Sequence, residues 1–272
     1  MSVRTLLLAC CLAASPTLAS CAPKESVANH QGALQLAAAA PTRTAANTLR
    51  DRYRHPVETL GFFGVKSSDT VVEIWPGGGW YSEILVPYLA QGGGTYIGAA
   101  PERSLSGLRK LVAANPAAYA TVRIANFPVL AKVPGTPVAA GSADVVLTFR
   151  NVHNWMMGKE PFEAEAFAQM YAMLKPGGTL GVVEHRLPEN ADAEREKKSG
   201  YVKVSTVRRL AEAAGFRLVA TSEINANPLD TADYPDGVWT LPPNFRLGDK
   251  DRAKYAAIGE SDRMTLKFVK PR

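Results

Sequence analysis

Thr70 to Leu85 reads TVVEIWPGGGWYSEIL. β-prone residues run up to Glu73 and Ile74, the glycines Gly77, Gly78 and Gly79 make a sharp turn, and an amphipathic run follows. That order predicts strand, loop and helix. A strand feeding a helix through glycines suits a nucleotide-like cofactor. Missing side chains let the backbone approach the ligand, and the new helix presents unpaired N–H groups. A purely structural turn, with Trp75 as core filler, is the alternative.

The pattern resembles the first motif of class I S-adenosylmethionine (SAM) methyltransferases, in which a hydrophobic strand ends in an acid followed by alternating glycines. Here the acid is Glu73 and the matching glycines are Gly77 and Gly79. The resemblance implies SAM as cofactor, with Tyr81 near its methionine moiety. Trp75 stands where the family usually has a glycine. Its indole either blocks the site or lines it, and in the second case a cationic sulfonium gains about 0.5–2 kcal/mol from the aromatic face.

Arg4 and the apolar run Leu6 to Ala14 have the form of a signal peptide, too short to span a bilayer as a stable helix. Leu18, Ala19, Ser20 and Cys21 resemble a bacterial lipobox, so residues 1–20 are expected to be removed and Cys21 lipidated; plain cleavage nearby is the alternative. That places the chain on the periplasmic side of a bacterial membrane, or soluble in the periplasm. All 3 cysteines, Cys10, Cys11 and Cys21, lie in this segment, which excludes a disulfide, a thiolate nucleophile or a cysteine metal site from the body. Residues 21–47 are rich in Ala without a sustained apolar period, and are expected to form a flexible tether. The domain is expected over 48–272. The whole chain's net charge of +6 comes without Lys/Arg runs interleaved with aromatics, which argues against nucleic-acid binding. No obligate protein partner is indicated.

From Thr48, His55 before Pro56 predicts a helix break and restart. In the resembling family a helix before the first strand closes over the cofactor, which would put Arg54 and His55 at the edge of the site. After a second strand, Thr95 to Ala99, the family carries an acid for the ribose hydroxyls. This chain has Ala100, so Glu102 is the substitute. The same gap weakens a nicotinamide-dinucleotide reading, whose third glycine would be Ser82. A third strand, Ala120 to Ala125, ends at Asn126 and Phe127, which the resemblance assigns to the adenine amino group and ring.

The next strand, Ala143 to Phe149, runs into RNVHNW. The run resembles the loop after the fourth strand in small-molecule methyltransferases. Ligands of open parallel sheets lie beyond the carboxyl ends of the strands, so Arg150, Asn151, His153 and Asn154 are expected to face the donor methyl. LKPGGTLGVVEHR, Leu174 to Arg186, resembles the fifth-strand junction of the same family and ends in Glu184, His185 and Arg186. Neighbouring strands lie about 4.8 Å apart, so His153 and His185 can converge as a general-base pair, supported by Arg150. They could also start a metal site, but His30 and His55 are the only other histidines, so no metal is expected.

A helix near Thr206 with Ser205 as cap, two closing strands and a long insertion, Asn225 to Ser261, complete the chain. The resemblance spans about Thr48 to Pro271. It implies an α/β, Rossmann-like class I methyltransferase fold: a seven-stranded, mostly parallel sheet, an antiparallel last strand and helices on both faces. It further implies a SAM-dependent methyltransferase acting on a small-molecule methyl acceptor or an envelope component, close to a group of exported bacterial proteins with a WPGGGWY motif. Because SAM is made in the cytoplasm, a binding module on the same fold is the competing expectation.

Overall fold

The computed structural model describes Met1 and residues 27–272. The signal peptide and Cys21 lie outside the described residues.

Residues expected to be a tether instead begin the domain. α1 (Val27–Ala38) packs on α4 (Pro56–Phe63) and α5 (Ser82–Gln91). Leu34 and Ala37 are buried there. Alanine has the highest helix propensity, and two well-placed apolar side chains suffice to dock a helix whose apolar pattern is weak. Beyond it, the Arg43 guanidinium donates to both Asp51 carboxylate oxygens at 2.6 and 2.9 Å and to the Ala38 carbonyl at 2.7 Å. The Trp80 indole donates to the Asn47 carbonyl at 2.9 Å. Two short helices follow, α2 (Ala45–Thr48) and α3 (Asp51–Arg54). The break at His55 falls as expected: this residue has φ 39°, and Pro56 opens α4.

The strands are β1 (Thr70–Ile74), β2 (Thr95–Ala99), β3 (Arg123–Ala125), β4 (Ala143–Phe149), β5 (Leu174–Leu187), the two-residue β6 (Val202–Lys203), β7 (Arg217–Ser222) and β8 (Arg263–Val269). They form one sheet in the order β3-β2-β1-β4-β5-β8-β7, with β6 paired off this path to β5. Seven strands thus make the expected sheet and β6 is an eighth. β8 is antiparallel to both β5 and β7; the other pairings are parallel.

Alternation along the strands divides the core. Val72, Ile74, Val146 and Val182 pack with α8 (Glu163–Met173) and α9 (Val204–Ala213) on one face, while Val71, Val145, Leu147 and Val183 pack with α1, α4, α5 and α6 (Ser106–Ala114) on the other. Ala166, Phe167 and Met170, at helical spacing along α8, are buried in the core. Two local expectations differ. Ser205 lies within α9 and bonds Glu189 instead of capping the helix, and the RNVHNW run contains a short helix, α7 (Val152–Met156). The insertion carries the last helix, α10 (Arg252–Ile258). Among the described residues no helix is long and apolar enough to cross a membrane.

Candidate active site

A cavity of ≈ 340 Å³ opens at the carboxyl ends of β1, β4 and β5. Trp75, Pro76, Gly77 and Gly78 form one wall, Arg150, Asn151, His153 and Asn154 a second, and Val238, Trp239 and Asn244 of the insertion a third. Asn47, Arg50 and Arg54 close it from the amino-terminal side. Asn47, at the end of the segment expected to be a tether, therefore helps to wall the site.

Trp75 and Arg150 have φ of 51° and 61°. A bulky residue in this left-handed region is strained, and both positions border the cavity at a strand-to-loop turn. The Trp75 indole does not fill the cavity. It donates to the Phe127 carbonyl at 3.0 Å and packs against Trp155 and Phe162, each at 6.2 Å between ring centroids.

The glycines divide their roles. A Cβ added to Gly77 or Gly78 meets nothing within 4 Å, although Gly77 has φ 58°. At Gly79, φ 84°, it would lie 2.1 Å from Leu111 Cδ1, and at Gly107 2.4 Å from the Gly77 carbonyl. The loop is glycine-rich partly so that α6 can pack directly on it. Gly79 therefore faces α6 and does not border the cavity.

Glu73 is buried, and its Oε2 accepts from Ser82 Oγ at 2.9 Å and Tyr96 OH at 2.7 Å. Burial pushes its pKa up to about 7, outweighing the two hydrogen bonds. The native carboxyl thus keeps its proton to higher pH than the unfolded one, so this group's stabilisation falls as pH rises from about 4.5 through about 7. Glu73→Gln, which keeps the acceptor oxygen, is expected to raise stability at pH 8 by up to about 3 kcal/mol and to change it little at pH 4. Urea unfolding at the two pH values checks this; equal effects at both would refute it.

His153 and His185 do converge, with ring centroids 5.2 Å apart. What the sequence reading passed over is Glu184 between them. Its Oε1 lies 2.9 Å from His153 Nδ1 and accepts the His185 backbone N–H at 2.8 Å, while Oε2 accepts the His153 backbone N–H at 3.2 Å. An ionised carboxylate only accepts, so His153 carries its proton on Nδ1 and Nε2 is left as the basic nitrogen. His185 is held well below the usual histidine pKa by burial, with His153, Arg263 and Arg150 adding to the effect, and is neutral at pH 7. Its Nδ1 lies 2.5 Å from Ser261 Oγ. Ligand atoms of His153, Glu184 and His185 all lie within 4.8 Å of one another, a cluster able to take a metal ion. Against that, Glu184 is committed to three N–H groups, and arginines surround the pair.

Asn151 Nδ2 donates to the Ile74 carbonyl at 2.9 Å, tying the ends of β4 and β1 together. Tyr81 borders the cavity stacked on Phe149 at 3.6 Å, its hydroxyl pKa pushed up to about 12 by burial.

Three expected contacts lie elsewhere. Glu102 is exposed and paired with Arg109 at 2.7 Å, as a carboxylate on a short surface turn finds the nearest cation. Asn126 Oδ1 accepts the Thr136 N–H at 2.8 Å, closing a loop. Phe127 is fully buried at 5.8 Å from Trp155, because an aromatic ring at the end of β3 is worth more in the core than at a rim. None of the three borders the cavity, and neither does His55. Conversely Arg50, Trp80 and Arg263 border it although no motif in the sequence marks them. Arg263 had a signal in the order of strands: β8 places it opposite His185 of β5.

No family model and no curated protein matches the sequence. Solved structures do resemble the fold. A SAM-dependent methyltransferase from Aquifex aeolicus superposes with TM-score 0.53 at 15% identity over 81% of this chain and 92% of its own. A putative methyltransferase from Haloferax volcanii, solved with its Trm112 activator, gives 0.52 at 19% over 88% and 98%. A putative sarcosine dimethylglycine methyltransferase from Galdieria sulphuraria gives 0.54 at 14% over 82% and 85%. Together with the strand order and the reversed β8, these place the fold of this chain with that of the class I SAM-dependent methyltransferases.

Proposed function

We propose that the protein is a SAM-dependent methyltransferase that acts on a small molecule or an envelope component. The observation that carries this reading is the His153–Glu184 pair beside a cavity walled by Gly77 and Gly78. The cavity fits the amino-acid end of SAM: open space lies beside both glycines, aromatic faces of Trp75 and Tyr81 border it, and the buried Arg54 Nη2 has no hydrogen-bond partner for a carboxylate to displace. Bound there, SAM supplies an electrophilic methyl group. The protein's own residues do the rest. His153 Nε2 takes the proton an acceptor must release, Glu184 holds the opposite nitrogen protonated, and the insertion, through Trp239 at 6.0 Å from His153, shields the pair from water.

The test is calorimetric titration of the domain from Val27 onward with SAM and S-adenosylhomocysteine. Gly78 is the site for a control, since its Cβ would meet open space and no positive φ opposes a side chain. Micromolar binding of both ligands, weakened at least about tenfold by Gly78→Val with unfolding temperature unchanged, is expected. Absence of binding by folded wild-type protein refutes the reading. It would favour a second one, a non-catalytic binding module, which the displacement of Glu102, Asn126 and Phe127 from the cavity supports.

The same proposal places the protein outside the cytoplasm, held by a lipid on Cys21, on the strength of the Leu18–Cys21 motif. Cys21→Ala is expected to move it from the membrane to the soluble fraction of fractionated cells; an unchanged membrane fraction would contradict the anchor.

A further inference from the structure

The cavity carries far more positive charge than its own residues neutralise. Arg50 and Arg54, four residues apart, face it from α3 and its cap, Arg150 from the end of β4, and Arg263 from the start of β8. One carboxylate answers three of them. Glu260 accepts from Arg50 Nε at 2.5 Å, from Arg54 Nε at 3.2 Å and from Arg263 Nη2. No hydrogen bond to the Arg150 guanidinium is found among the described residues. Three guanidinium nitrogens, Arg50 Nη2, Arg54 Nη2 and Arg263 Nε, are buried without a partner, and Arg54 and Arg263 are only 3% and 2% exposed.

Unsatisfied charged donors at that depth are costly, and so are guanidinium groups pressed together. The other carboxylates near the cavity do not relieve them: Glu73 is engaged by Ser82 and Tyr96, and Glu184 by His153 and two backbone N–H groups. The strain shows in the groups themselves, as burial and the neighbouring Arg263 lower the Arg150 pKa to about 10. SAM would not restore balance, because its sulfonium and ammonium outnumber its single carboxylate. A second, multiply charged anion would.

We infer that this four-arginine cluster is an oxyanion-binding subsite, and that the methyl acceptor of the proposed reaction carries a doubly charged oxyanion group, a phosphate or a pair of carboxylates. Guanidinium forks bind such groups through paired, charge-assisted hydrogen bonds. With Arg54 left to the SAM carboxylate, anchoring the acceptor by its anion at Arg50, Arg150 and Arg263 would bring a neighbouring nucleophile toward His153. The inference rests on the methyltransferase reading for the acceptor's role, and on the cluster alone for the binding.

The experiment therefore leaves the donor out. Wild-type protein from Val27 onward is titrated with inorganic phosphate, malonate and acetate, and separately with S-adenosylhomocysteine. Phosphate or malonate is expected to bind and to raise the unfolding temperature, acetate to do neither, and the tighter of the first two identifies a phosphorylated or a dicarboxylic acceptor. Arg150→Gln is expected to weaken that anion about tenfold or more. Arg50→Gln, at a guanidinium that is a quarter exposed, gives a second test. Anion binding without S-adenosylhomocysteine binding keeps the subsite and removes the methyltransferase reading. Binding of S-adenosylhomocysteine with no response to phosphate or malonate overturns the inference, as does anion affinity unchanged in both folded variants.

Discussion

His153→Ala is expected to lower kcat for transfer of labelled methyl to an acceptor by about 10²–10⁴, the range for loss of a positioned general base, with S-adenosylhomocysteine affinity within about twofold of wild type. The expectation follows from the geometry around one nitrogen. Glu184, with no solvent exposure, holds His153 Nδ1 at 2.9 Å and fixes the ring further through the backbone N–H. In the neutral ring Nε2 is thereby the free nitrogen, and the ring is held in place. Glu184→Gln retains an acceptor for the ring but removes the charge that would stabilise the imidazolium formed on proton transfer, and is expected to show a smaller loss than His153→Ala. Turnover undiminished in His153→Ala would refute the assignment of this residue as base. A parallel rise in KM with kcat unchanged would instead make it a substrate-orienting group.

Glu260→Gln is expected to cost about 3–5 kcal/mol of folding stability, the range for removing one partner from a buried ion pair. It is the largest effect predicted for any single change of charge in this chain. Glu260 is 2% exposed and receives hydrogen bonds from three arginines. Those cations, with Arg150, hold its carboxyl well below the usual range despite burial. Because the folded pKa is depressed, the contribution is present above the unfolded value near 4.5 and disappears as pH falls below it. Wild type should therefore lose stability on acidification below about pH 4.5, and Glu260→Gln should show little of that loss. The slope is opposite in sign to the contribution from Glu73, so the two are separable in one pH series of urea unfolding. A loss below about 1 kcal/mol at pH 7 would show that the arginines find other partners.

The parts of the site that are contiguous in the chain were legible. Glu73, Gly77 and Gly78 come together because a strand, a turn and a helix are local, and Arg150, Asn151 and His153 because β4 ends where hydrophobic alternation gives way to polar residues. Other contacts depend on distant residues. Gly79, Asn126 and Phe127, expected at the ligand, lie against α6, the Thr136 loop and Trp155. Residues 27–47 looked unable to order themselves, and alone they have little to bury. α4 and α5 supply the surface that Leu34 and Ala37 cover.

The sequence by itself determined the strand–glycine–helix unit, the alternation of strands and helices with the reversed final strand, and the two histidines at adjacent strand ends, since each is set by local periodicity and turn chemistry. Only the tertiary structure decided which carboxylate serves His153, which glycines face a cavity and which a helix, and that Arg50, Arg54, Arg150 and Arg263 share one cavity, three of them with one counter-ion. The reason is physical. Charge balance and close packing depend on distances between residues up to 210 positions apart in the chain, and no pattern along the chain encodes them.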